Sequence, residues 1–354
     1  MEILKLNETP VRTSRNFNIN NIKIKDIEIP GDIAEFRNMK ITGENSKLKI
    51  EHETSDIDLI YGLSEEFTTQ VKTQANQKLR LTVDSKTNKE TIIDFKFNDE
   101  NKFLVDDIEI IAEEAAKATI IIKYKSNKGL EAYHNGLIRV KAKANSSINI
   151  IVVNVMNCKS NNFIAMQNII ENNAKVNYTI VDFGGRNSIT NYYTNLIGDN
   201  SDNKLNTIYI GKEEQLLDLN YIAELRGKKS NIDIEVQGAL TDSAKKHFKG
   251  TIDFKKGCKK ATGNENESCM LLSDKAKSIA LPMLLCSEEE VEGNHSNSAG
   301  KIGEKELFYI MSRGFEQKEA MKLMVRAKFN KILANIKNEE LNEEIVNKIN
   351  KMLD

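Results

Sequence analysis

The sequence is poor in the residues that catalysis and ligand stacking usually require. Its 354 residues include no tryptophan, three prolines and four histidines. Histidine is the commonest proton-transfer group in enzymes, so few general acids or bases are available. We therefore expect a protein that is not an enzyme.

Neither the charge nor the apolar runs point to nucleic acid or to a membrane. Lys and Arg number 51 and Asp and Glu number 52, which gives a net charge of -1 and no electrostatic support for nucleic-acid binding. The longest apolar run, residues 148–155, is interrupted by asparagines, whereas a spanning helix needs about 20 apolar residues. The first ten residues, MEILKLNETP, lack the pattern of an export signal. The four cysteines are therefore expected to be free thiols in the cytoplasm.

Strands dominate residues 79–256. Apolar and polar residues alternate there in short runs, which is typical of a strand with one buried face. The clearest strands predicted on this pattern span residues 79–83, 93–97, 138–144, 176–180 and 232–236.

The turns between these strands favour a solenoid. They are rich in Asn, Gly and Ser, and no strong helical pattern intervenes, which argues against alternating β-α-β units. A sandwich, a barrel and a β-helix remain possible. Sandwich domains usually hold about 100 residues, whereas a solenoid can grow coil by coil without a size limit. Asparagine-rich turns also suit a β-helix, where Asn side chains can hydrogen-bond from coil to coil.

The two ends of the chain differ from the strand region. Ser64, followed by Glu65 and Glu66, predicts a short helix over residues 64–77. From residue 304 the apolar period becomes helical, and three short helices are predicted. Their own core is too small for independent stability, so they must dock on the strand body or on another protein. The strand body is expected to fold without them.

We therefore divide the chain into three parts. These are a mixed N-terminal region with a short helix at 1–78, a β-helix core at 79–302 and a C-terminal helical module at 303–354.

Three cysteines and a histidine form a cluster of soft metal ligands in the sequence. Cys258, Cys269, Cys286 and His295 fall within 38 residues, and such a set suits iron–sulfur, zinc or copper(I). Their spacing matches no zinc-finger pattern. Core packing is the simpler interpretation for the three cysteines, whereas the small and polar neighbours of His295 indicate an accessible side chain. Gly184 and its neighbour form no phosphate-binding loop, so no nucleotide is expected on this chain.

Several segments in the second half carry a family resemblance. The stretches VDFGGRNSITNYYTNLIGDNSDNKLNTIYIG, QGALTDSAKKHFKGTIDF and SCMLLSDKAKSIALPMLLC match in register, and VEGNHSNSAGKIGEKELFYIMSRGF is the most specific segment. From about residue 181 to about residue 335 the chain resembles the SufB/SufD family of iron–sulfur cluster assembly proteins, SufD more than SufB.

The resemblance implies a fold, partners and a transient cofactor. It implies a mainly β protein, a right-handed parallel β-helix with a flanking N-terminal region and a C-terminal helical module. Such proteins are scaffolds that pair as a homodimer or as a heterodimer with a SufB/SufD paralogue. They also bind a SufC-type ATPase through the C-terminal helices, and an iron–sulfur cluster forms at the paired interface.

The resemblance also assigns site residues. His295 matches the histidine that holds the cluster on the SufD-type subunit, and Glu267 falls in register with the SufB scaffold cysteine. Cys269 lies two residues away from Glu267 and on the same face if the segment is a strand, and Cys286 completes the expected metal ligands. The ATPase-binding residues expected from the LFY-S-RG motif are Leu307, Phe308, Tyr309, Arg313 and Gly314.

Two alternatives stay open at this point. One is a carbohydrate-active enzyme with a β-helix fold, which would need paired carboxylates in a groove. The other is an interaction protein that has the family fold but no cluster chemistry. The iron and sulfide content of the reconstituted protein would separate this second alternative from a cluster scaffold.

Overall fold

The computed structural model describes residues 3–13, 19–25, 27–44, 46–87 and 89–354. Its helices are α1 (Glu65–Gln74), α2 (Glu304–Ser312), α3 (Gln317–Leu333) and α4 (Glu339–Leu353). Its strands are β1 (Leu4–Leu6), β2 (Ile22–Ile24), β3 (Met39–Thr42), β4 (Leu48–Glu51), β5 (Gln77–Val83), β6 (Thr91–Phe97), β7 (Phe103–Ala112), β8 (Lys117–Ser126), β9 (Tyr133–Ala142), β10 (Ser147–Asn154), β11 (Asn161–Ile170), β12 (Lys175–Asp182), β13 (Asn187–Leu196), β14 (Asp202–Gly211), β15 (Leu216–Leu225), β16 (Asn231–Leu240), β17 (Lys245–Phe254), β18 (Thr262–Leu271), β19 (Lys277–Cys286) and β20 (Glu292–Lys301).

The strands from β5 onward form a parallel β-solenoid. Successive strands alternate between two sheets, so that each strand pairs with the strand two places along the chain. We call these the even sheet, β6 to β20, and the odd sheet, β5 to β19. The short strands β3 and β4 extend the first coil by antiparallel pairing with β6 and β5. The predicted parallel β-helix is confirmed, with eight parallel strands in each sheet.

Coil length varies, which explains why no fixed repeat is visible in the sequence. Asn161 pairs with Asn187, 26 residues on, whereas Lys245 pairs with Lys277, 32 residues on. Strand length is nevertheless nearly constant at eight to ten residues from β7 onward. The difference is therefore absorbed by the turns.

Asparagines stack along one line of turns, as the sequence predicts. Asn145, Asn173 and Asn200 each have a positive φ, between 55° and 62°. The Asn173 Nδ2 donates to Asn145 Oδ1 and the Asn200 Nδ2 donates to Asn173 Oδ1, both at 3.2 Å. Asparagine tolerates this left-handed backbone better than most residues do, and its amide links one coil to the next.

The main core lies between the two sheets. It is filled by aliphatic side chains and by a series of aromatic rings that pack edge to face. Tyr178, Tyr192, Tyr221 and Phe248 follow one another at ring-centroid distances of 5.1 to 5.9 Å. Edge-on packing of this kind is a favourable arrangement for aromatic rings.

The outer faces of both sheets are also covered over much of their length. Helices α3 and α4 cover the even sheet, where Phe329 stacks on Phe183. The N-terminal segments and α1 cover the odd sheet, where Phe67 contacts Phe163. Many strands are therefore buried on both faces, and the expectation of one buried face is wrong for them. Helices α3 and α4 thus dock on the strand body, and removing them would expose an apolar sheet face. That the strand body folds without them stays a prediction.

The predicted helices are all present, with differences in detail. Ser64 is the N-cap of α1, and its side chain accepts from the Phe67 N–H. Helix α2 ends at the predicted break, where Gly314 has a φ of 96°. On α3, Leu323 is 41% exposed, and the buried residues are Ala320, Val325, Phe329, Ile332 and Leu333. In the described part of the chain, no helix is long and apolar enough to cross a membrane.

Candidate functional site

The last coil of the solenoid is not covered by another coil of the described residues. Among those residues, strand β19 pairs only with β17, and strand β20 pairs only with β18. Leu284 on β19 stacks on Ile252, yet Leu284 is 40% exposed and Ile252 is 1% exposed. We call this last coil, β19 and β20, the open end. Its two edge strands present backbone groups that another strand could pair with.

Strand β18, directly beneath the open end, carries three chemically active residues on its inner face. Gly263 faces the core residues Ile252 and Phe254. Because side chains alternate along a strand, Glu265, Glu267 and Cys269 also face the interior. All three are buried. The expectation that Glu267 and Cys269 share a face is confirmed.

Glu267 forms a buried ion pair. Its Oε1 accepts from the Lys246 ammonium at 2.8 Å and from the Tyr209 hydroxyl at 3.0 Å, and Lys246 is completely buried. Its Oε2 accepts no hydrogen bond from the described residues. A carboxylate paired in this way is held in place by the ammonium.

Glu265 has no cation within ion-pair distance among the described residues. Its side chain lies against the Gly250 backbone. A Cβ atom added to Gly250 would lie only 1.9 Å from the Glu265 Oε2. Its Oε1 accepts from the Asn297 amide at 3.4 Å, and its Oε2 has no partner in the described part of the chain. Burial, together with the nearby negative charge of Glu267, raises the pKa of the Glu265 carboxyl to about 7.

The two interior cysteines are buried and have raised pKa values, so they are not activated as thiolates. Cys258 and Cys269 are both buried, as the core interpretation predicts. Burial raises the pKa of the Cys269 thiol, and the Lys246 ammonium opposes this shift only in part. Burial also raises the pKa of Cys258, to about 11. Both thiols are therefore mainly protonated at neutral pH.

His295 and Cys286 lie at the open end itself. His295 on β20 pairs in register with Glu265, so it continues the same inward-facing row but is exposed. Cys286 ends β19 and is exposed, with its Sγ 2.9 Å from the Glu288 carbonyl oxygen. The core interpretation is wrong for Cys286, because no strand of the described residues covers it.

The four expected metal ligands do not converge within one chain. Cys269 lies close to Ser278, which is near the start of β19. The Ser278 hydroxyl opposes the rise in the pKa of Cys269 that burial causes. Cys286 lies eight residues further along that strand, which corresponds to about 26 Å at the rise of a β-strand. Among the residues that the structure describes, no group of three or more His, Cys, Asp or Glu could hold a metal ion. Whether these residues ligate a cluster stays a prediction.

Helix α2 carries the expected ATPase-binding motif on its surface. None of its residues is buried. Phe308 is 73% exposed and Tyr309 is 59% exposed, and Leu307 is half-buried. Arg313 caps the helix, and Gly314 follows it with its N–H donating to the Met311 carbonyl oxygen. The exposed large apolar side chains of α2 and of the segment that follows it are Phe308, Tyr309, Met311, Phe315 and Leu323. We call these five side chains and Arg313 the α2 patch.

Sequence reasoning missed three residues of this region. Glu265, Lys246 and Asn297 were not predicted to contribute, yet all three lie in the interior row beneath or at the open end. The signal for Glu265 was available, because it shares the alternation of Glu267 and Cys269 in the segment NENESC. No local signal marks Lys246 as buried, since its partner lies 21 residues away.

A parallel β-solenoid with an uncovered end and a buried carboxylate, thiol and amine beneath it defines a structural class rather than a reaction. Residues 95–328 match a family model described as the SUF system FeS cluster assembly, SufBD core domain. That match covers well over half of the chain. The chain therefore belongs to the SufBD family of iron–sulfur cluster assembly proteins.

Curated relatives agree with this assignment. The chain is 27% identical over 218 residues to the iron–sulfur cluster assembly protein SufD of Bacillus subtilis, covering 61% of this chain and 50% of that protein. It is 31% identical over 167 residues to a SufBD family protein of Pyrococcus horikoshii, covering 46% and 36%. It is 21% identical over 240 residues to SufD of Escherichia coli, covering 68% and 57%. The chain thus spans about half the length of the curated relatives it matches, and it is SufD-like.

Proposed function

We propose that this chain is a non-enzymatic scaffold component of a SUF-type iron–sulfur cluster assembly complex. In this proposal it pairs through the open end of its solenoid and binds a SufC-type ATPase through α2. It binds no nucleotide itself, and the cytoplasm is its expected compartment. The observation that carries the proposal is the open end, which leaves interior-facing residues uncovered while the coils beneath are buried.

The open end is suited to pairing because its uncovered groups are those that a partner strand would satisfy. Ile279 and Leu284 expose apolar surface there, at 39% and 40%. Residues 293–300 of β20 carry no Asp, Glu, Lys or Arg, so no edge charge opposes association. The partner would be a second copy or a SufB/SufD paralogue.

A cluster at the paired interface fits the distribution of ligands. His295 and Cys286 are exposed at the open end, whereas Glu267 is held by Lys246 in the interior. Iron–sulfur clusters usually take four protein ligands. One chain would therefore supply only some of them, and the paired chain would supply the rest.

A charged residue in the open end tests the pairing. We expect Leu284→Glu to lower the dimer fraction strongly, because the new carboxylate would be buried against the partner. Ile197→Glu is the matched control, since Ile197 is 45% exposed in the turn between β13 and β14, away from the open end. Light scattering would measure the molar mass of the protein alone and with a SufB/SufD paralogue.

The pairing proposal fails if the wild-type protein stays monomeric both alone and in the presence of a SufB/SufD paralogue. It also fails if Leu284→Glu associates as tightly as wild type does.

An interaction protein with the family fold but without cluster chemistry is the second candidate. One observation favours it: the expected ligands do not converge in the described part of this chain. Such a protein would still pair and still bind the ATPase. It would retain no iron or sulfide after anaerobic reconstitution, and this difference separates it from the scaffold.

A further inference from the structure

The α2 patch contains one charged group in a fixed position. The Arg313 guanidinium lies over the Tyr309 ring, with its central carbon 5.2 Å from the ring centroid. Its Nη2 donates to the Tyr309 hydroxyl at 3.2 Å. The backbone beneath is fixed as well, because the Arg313 N–H donates to the Ile310 carbonyl oxygen. Two contacts with Tyr309 therefore hold the Arg313 guanidinium in this conformation.

This guanidinium has no counter-ion in the described part of the chain. No Asp or Glu there lies within ion-pair distance of Arg313. The same holds for Arg186 and Arg326, whereas the five other described arginines form ion pairs at 3.0 Å or less. Guanidinium presents five N–H donors in a planar fork, and one hydroxyl satisfies only one of them. The other four donors have no hydrogen-bond acceptor in the described part of the chain.

We infer that the partner of the α2 patch presents an apolar socket that contains an Asp or Glu carboxylate opposite Arg313. This inference rests on the proposed ATPase docking and names the surface that the ATPase must offer. A carboxylate matches the planar fork and can be bound by two parallel hydrogen bonds. A free anion would leave Phe308, Met311 and Phe315 in water, so the apolar surroundings favour a protein group.

Tyr309 is a positioning residue in this inference. It holds the guanidinium through its ring and its hydroxyl, which reduces the conformational entropy that Arg313 loses on binding. Tyr309→Phe keeps the ring and removes the hydrogen bond. We expect Tyr309→Phe to weaken binding less than removal of the guanidinium does.

The test measures the affinity of the full-length chain for the SufC-type ATPase by calorimetry at two salt concentrations. We expect Arg313→Gln to weaken binding by roughly 30-fold or more and to reduce its salt dependence, because a carboxylate on the ATPase is left buried and unpaired. Arg313→Lys keeps the charge but not the fork and should be intermediate. Lys305→Gln, which removes an exposed charge from the same helix, should change the affinity by no more than about 3-fold.

Phe308→Ala separates this inference from the proposed function. If Phe308→Ala leaves the affinity unchanged, α2 is not the docking site and both proposals fail. If Phe308→Ala weakens binding but Arg313→Gln behaves like Lys305→Gln, the docking proposal stands and the carboxylate inference is overturned. An unchanged melting temperature of Arg313→Gln would confirm that the loss lies in recognition rather than in folding.

Discussion

Replacing Glu265 by glutamine should stabilise the protein at alkaline pH. The Glu265 carboxyl is buried without a cation, and its pKa is raised from an ordinary value of 4.5 to about 7. At a pH between the unfolded pKa of 4.5 and the folded pKa of about 7, the carboxyl loses its proton in the unfolded chain but keeps it in the folded chain. Stability is therefore highest below the unfolded pKa and falls as pH rises towards 7.

The magnitude follows from the size of this shift. Each pKa unit corresponds to about 1.4 kcal/mol, so the loss across the window reaches about 3 kcal/mol. Glutamine does not titrate and matches the neutral carboxyl in shape. We expect Glu265→Gln to be more stable than wild type by about 3 kcal/mol at pH 8 and by only about 1 kcal/mol at pH 5.

Glu267 supplies the matched comparison on the same strand. Its carboxylate neutralises the buried Lys246 ammonium at 2.8 Å. Glu267→Gln leaves that ammonium without a counter-charge, which should cost about 3–5 kcal/mol. Denaturant unfolding followed by circular dichroism at pH 5 and pH 8 would measure both variants. The reasoning is refuted if Glu265→Gln destabilises the protein equally at the two pH values, since the carboxylate would then be ionised and paired in the folded state.

Two further predictions concern the fold. Phe329→Ala should cost about 3–5 kcal/mol, because Phe329 is completely buried between α3 and the even sheet. Leu323→Ala on the same helix is 41% exposed and should stay within about 0.5 kcal/mol of wild type; equal losses in denaturant unfolding would show that α3 does not dock as described. Asn173→Ala should be less stable than Asn173→Gly by about 1 kcal/mol, because alanine tolerates the left-handed backbone poorly. A more stable alanine variant in thermal unfolding would contradict that account of the turn.

The sequence predicts the strands well where one face meets the core and the other is polar. The segment 93–97 is an example, since β6 spans Thr91–Phe97. It predicts burial less well where other segments cover the sheets. Strand β13 is buried along nearly its whole length, although its sequence NSITNYYTNL is largely polar. Its outer face is covered by residues about 180 positions earlier in the chain, such as Asn7, which no local pattern reveals.

The candidate site is only partly predictable for a related reason. His295 and Cys269 can be found from their ligand chemistry and from the family resemblance, and the structure places them as exposed and buried respectively. The exposure of Cys286 depends on where the stack of coils ends. The burial of Lys246 depends on which strand lies opposite it. Both are properties of the assembled solenoid rather than of any segment.

The central claim is that a cluster forms at the open end of this chain when it is paired. The most direct measurement is the iron and acid-labile sulfide content of the complex with its pairing partner and the SufC-type ATPase, after anaerobic reconstitution. The account predicts that wild type retains both and that His295→Ala retains clearly less, with an unchanged melting temperature because His295 is exposed. Equal iron and sulfide in the two complexes, or none in either, would contradict it.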